Sequence, residues 1–139
     1  MPLRHLPSVL LLALLALNTP PEARAAQLRP DTVAAAPDPA LARAIQDRRV
    51  LNFHYDGRPR VVEPHAYGRT SDGVPVLHGF QIGGESASGG LPGWRTFRAA
   101  DITGLTIGED TFPGPRAGHV EGRPRLDPVW AELPAPAQP

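Results

Sequence analysis

Residues 50–67 read VLNFHYDGRPRVVEPHAY, and the reading of the fold starts with them. Leu51, Phe53 and Tyr55 alternate with Asn52 and His54, the period of a strand with one buried face. Asp56-Gly57 follows. Both residues tolerate positive φ, so the pair is a strong two-residue hairpin signal. The chain returns through Arg60 to Tyr67. Pro64 lacks the N–H that a ladder needs, so this second strand is expected at a sheet edge or with a bulge.

The pattern extends in both directions. Upstream, Asp38 can cap a helix that begins with Pro39 and continues as ALARAIQDRR. Leu41, Ala44, Ile45 and Arg48 share one stripe of that helix. Downstream, Ser71-Asp72-Gly73 marks a turn, and VPVLHGFQI reads as a third strand with Val76, Phe80 and Ile82 on one side and Leu77 on the other. Gly83 to Gly93 is a long loop containing GGESASGG. WRTFR is a short fourth strand, AADI a one-turn crossing, and ITGLTI a fifth strand. One helix followed by about five short strands with tight turns predicts a mainly β small barrel.

Composition bounds the rest. The chain has 139 residues and zero formal net charge, so bulk charge argues for neither nucleic acid nor membrane. It has no cysteine, which excludes disulfides, thiolate zinc sites and cysteine nucleophiles. Seven of the 18 prolines lie in residues 1–40 and seven in 113–139. The ends are therefore expected to be extended or disordered, with residues 118–139 a Pro-rich tail. Within that tail, DPVWAEL (127–133) is expected as one helical turn that must dock or stay disordered. Residues 1–25 have the layout of a secretory signal peptide: Arg4 and His5, an apolar run from Val9 to Leu17, and Ala23-Arg24-Ala25 as a cleavage site. The apolar run falls short of the ~20 residues a membrane span needs. Residues 26–38 read as a linker. An exported, periplasmic or secreted, chain without a stable membrane span is the expectation, with a cytoplasmic chain the alternative.

Taken together, RRVLNFHYDGRPRVVEPHAYG, GVPVLHGFQ, WRTFRAADITGLTI and TFPGPR resemble the WYL domain over roughly residues 40–117. The matching positions are Tyr55-Asp56-Gly57, Arg60 to Pro64, Gly73 to Gly79 and Arg95 to Ile102. Pro75-Val76-Leu77 stands where Trp-Tyr-Leu is usual, and Asp101 where an arginine is usual. The resemblance implies a five-stranded SH3-like (Sm-like) barrel over residues 39–117, preceded by one helix. It also implies an effector sensor of the kind found beside helix-turn-helix domains in bacterial regulators, which are proposed to bind nucleic acids or nucleotide-like ligands.

Three chemistries fail on the residues. Gly84-Glu85-Ser86-Ala87-Ser88 approaches a nucleophile elbow, but Gly89, Gly90 and Pro92 forbid the helix that must follow it. A phosphate loop needs a lysine, and the chain has none. His54, His65 and His78 lie on separate strands without metal-site spacing, so no metal or other cofactor is expected. Arginines are the better candidates, because the guanidinium fork suits phosphate or carboxylate. Arg60, Arg95 and Arg98 fall within the WYL-like segments. Trp94 supplies a stacking surface, and His65 and His78 are expected as ligand contacts beside the arginines. The expectation is a non-enzymatic module binding an anionic small molecule or single-stranded nucleic acid, with the 83–93 loop as a flap over Trp94 and Arg95. The alternative is an exported structural or protein-interaction module.

Overall fold

The computed structural model describes residues 37–137. The expected signal peptide and most of the expected linker lie outside those residues. Helix α1 spans Pro39–Gln46. The Asp38 carboxylate accepts from the Ala40 N–H at 2.9 Å, and Pro39 occupies the first turn, where its missing donor costs nothing. Leu41, Ala44 and Ile45 form the buried stripe. Arg48, at φ 53°, turns the chain out of the helix.

The strands are β1 (Arg49–Tyr55), β2 (Arg58–Arg69), β3 (Pro75–Gly84), β4 (Gly93–Arg98), β5 (Thr103–Thr111) and β6 (Val129–Glu132). A single 3-10 turn, Ala99–Asp101, joins β4 to β5, and a short helix α2 spans His119–Gly122. Asp56 and Gly57, at φ 53° and 71°, form the expected two-residue turn between β1 and β2. All ladders are antiparallel, and the path runs β4-β3-β2-β1-β5. β6 pairs β2 at Ala66 to Gly68, beyond the stretch that β1 covers.

Three expectations need correction, and the choice at Pro64 between an edge and a bulge resolves to the bulge. Six strands take part rather than five, and the ladder is open, with β4 and β5 as its ends. β2 is central, not an edge; Pro64 is accommodated by the alternative the sequence left open, a register shift between Pro64 and Ala66. DPVWAEL contains a strand, not a helical turn. The residues after 117 are not a disordered tail, because Leu126, Ala131 and Leu133 are buried. Three apolar anchors and a free segment of β2 outweigh the local signal of prolines and glycines.

Strand alternation divides the sheet into two faces. Leu51, Phe53, Val62, Tyr67, Leu77 and Phe97 belong to one face and pack with α1. Phe53 and Phe97 meet edge to face with centroids 5.0 Å apart, as do Tyr55 and Phe97. β1 and β4 are separated by two intervening strands, so in a flat sheet they would lie about 14 Å apart. The sheet is therefore strongly curled around these rings. The opposite face carries Glu63, His78, Phe80 and Trp94 and is covered by the segment from Arg116 to Leu126, while Phe112, Ala131 and Leu133 join the α1-side cluster.

Candidate functional site

The six residues singled out from the sequence fall into two groups and one outlier. Arg60 and Arg95 lie on the face that carries Phe53 and Phe97, beside the glycine–serine loop. His65, His78 and Trp94 meet on the opposite face. Arg98 is exposed and joins neither; its backbone N–H donates to the Tyr55 hydroxyl at 3.1 Å. The expectation that His65 and His78 stand beside the arginines is thus corrected. The alternation of β2 and β3 sends arginine and histidine to different sides.

Arg60 is only 5 % exposed. It donates through Nη1 to Gln81 Oε1 at 3.3 Å and through Nη2 to the Tyr55 carbonyl at 3.2 Å. Its guanidinium carbon lies 5.6 Å from the Tyr55 ring centroid and 5.8 Å from that of Phe97. Gln81 Nε2 donates in turn to the Gly83 and Glu85 carbonyls, both at 3.0 Å, and so fixes the foot of the loop. Arg95 holds the loop tip. It donates through Nη1 to the Trp94 carbonyl at 2.8 Å and through Nη2 to Ser86 Oγ at 3.3 Å and to the Gly89 carbonyl. Ser86 and Ser88 hydroxyls share a hydrogen bond at 3.2 Å.

Nε of Arg60 and Nε of Arg95 are both buried without a hydrogen-bond partner among the described residues. Ion pairs there join Arg116 to Glu63 and Arg123 to Glu132, so neither of these two arginines meets a carboxylate. A buried guanidinium without a counter-charge is costly. Both arginines line one cleft of about 190 Å³, together with Tyr55, Asp56, Ser86 and Ser88. A larger cleft of about 420 Å³ lies along the C-terminal segment at Glu63 and Pro113 to Arg116, but its charges already neutralise each other.

The second group is a closed cluster. His65, His78 and His119 are all essentially inaccessible. His78 stacks on Trp94 at 4.7 Å, His65 meets Trp94 edge-on at 4.7 Å, and His119 lies 5.1 Å from His65 and 6.0 Å from His78. His65 Nδ1 sits 2.9 Å from the Glu63 carbonyl, which only accepts, so Nδ1 carries the proton. Its Nε2 then accepts from the Arg116 backbone N–H at 3.1 Å. Burial first, and the nearby His119 second to it among the lowering influences, bring the pKa of His65 and that of His78 down to about 4 each. Arg116 closes the cluster from outside. It forks onto both carboxylate oxygens of Glu63 (Nη2–Oε2 3.1 Å) and lies 4.3 Å from the Phe80 ring centroid. Glu63 raises the Arg116 pKa above its ordinary value. Among the described residues no group of three or more histidine or carboxylate side chains has an arrangement that holds a metal ion.

Sequence reasoning missed Gln81 and His119. Gln81 was legible in principle, as a polar residue two positions beyond Gly79 in the inward register of Leu77. His119 was not, because nothing local distinguishes it from a loop histidine. No family model, curated protein or solved structure matches this chain.

Proposed function

We propose that this protein is a non-enzymatic, WYL-like sensor module that binds an anionic ligand in the cleft between Arg60 and Arg95. The observation that carries this reading is the pair of cleft-lining guanidinium groups without a carboxylate partner, each with a buried, unpartnered Nε. An anion supplies what both lack. The meander order with the last barrel strand beside the first, and the single 3-10 turn between β4 and β5, support an SH3-like architecture. The glycine–serine loop, held at its foot by Gln81 and the Glu85 N–H to Pro59 carbonyl bond and at its tip by Arg95, acts as the flap. The signal-like residues 1–25 support an encounter with the ligand outside the cytoplasm.

The test is calorimetric titration of the full chain with inorganic phosphate, nucleotides, dicarboxylates and a short oligonucleotide, with thermal unfolding alongside. Saturable binding that raises Tm and weakens about tenfold or more in Arg95→Gln supports the proposal. Absence of heat and of a Tm shift with every one of these anions overturns it.

A further inference from the structure

The cleft has a third charge. Asp56 lines it beside the two arginines. Its carboxylate makes no hydrogen bond or ion pair among the described residues. Its backbone is fixed, because φ is 53° and Gly57 at 71° completes the turn. The turn explains why a residue tolerant of positive φ stands here, and asparagine or glycine meets that need as well. It does not explain a free carboxylate at the rim of an arginine cleft. A polyanion tracking through this site has to pass that carboxylate at a cost in repulsion. At about 190 Å³ the cleft is also smaller than the roughly 300–1,000 Å³ of drug-sized sites.

We infer that the ligand is a small zwitterion of the acidic α-amino-acid class, with its two carboxylates on Arg60 and Arg95 and its ammonium on Asp56. This rests on the anion-binding reading and narrows it. The charges match group for group: two guanidinium groups and one carboxylate from the protein face two carboxylates and one ammonium from the ligand. The Ser86 and Ser88 hydroxyls complete the polar rim.

Titration of the full chain with L-glutamate, N-acetyl-L-glutamate, glutarate, inorganic phosphate and an oligonucleotide tests this, in wild type and in Asp56→Asn, which the turn accommodates. L-glutamate is expected to bind, and N-acetyl-L-glutamate and glutarate to bind about tenfold or more weakly, since each lacks the ammonium. Asp56→Asn is expected to weaken L-glutamate by a similar factor and to leave glutarate unchanged or tighter. If glutarate, phosphate or the oligonucleotide binds wild type as tightly as L-glutamate, or if Asp56→Asn leaves L-glutamate unaffected, the zwitterion is overturned while anion binding stands. If no anion binds at all, both fall together.

Discussion

Arg60 and Gly84 face each other across the β2–β3 ladder, and each limits what the other position can hold. Gly84 has φ +82°, and a Cβ there would lie 2.2 Å from the Pro59 carbonyl oxygen. Gly84→Ala is therefore expected to destabilise by more than about 1 kcal/mol in urea unfolding. Arg60→Met should behave differently. It removes two hydrogen bonds and also a buried charge without a counter-ion, and these effects oppose each other. Stability is expected to change by less than about 1.5 kcal/mol, while anion binding is lost. Of these residues, the chemistry of Arg60 was legible from its type and its strand. Its placement among Tyr55, Phe97 and Gln81 was not, because it depends on how sharply the sheet curls.

Two elements carry the remaining chemistry. The first is the loop from Glu85 to Pro92, whose tip is exposed and tied back through Arg95. Deleting Ser86 to Gly90 is expected to abolish ligand binding while leaving Tm within a few degrees, since no residue of the loop tip belongs to the core. The second is the segment Phe112–Leu133 with its histidine cluster. His65 and His78, with pKa values of about 4 in the fold against 6.5 for a free imidazole, bind fewer protons folded than unfolded. Their contribution is thus intact above about pH 6.5, is lost progressively as pH falls toward 4, and changes no further below that. Urea unfolding at pH 7.5 and 4.5 should show this loss, and His78→Gln should flatten it. The helix, the first hairpin and the cores of β3, β4 and β5 were readable because their signals are local: a cap, alternation, Asp-Gly. β6 and α2 were not. Prolines and glycines report only local stiffness and freedom, whereas the pairing of β6 is set by the part of β2 that β1 leaves uncovered, some sixty residues upstream.

For the molecule as a whole, the described body is small, and such bodies have little stability to spare. The curled sheet buries one face with α1 and the apolar side chains of β6, and the other beneath the segment from Arg116 to Leu126. Removing residues 124–139 would strip Leu126, Ala131 and Leu133 from the core and uncover His119. That truncation is expected to lose cooperative thermal unfolding in circular dichroism, whereas a C-terminal cut after Pro134 is expected to retain it. The arrangement of β6 also affects how copies of the chain treat one another. Ala66 to Gly68 accept Val129–Glu132 through the backbone ladder, after a long connection from β5, and Trp130 packs on Tyr67 and Arg69. Nothing in that pairing distinguishes a strand supplied by the same chain from one supplied by a neighbour. Refolding at high protein concentration should therefore yield exchanged dimers, each closing the other's histidine face, and refolding at high dilution should yield monomers.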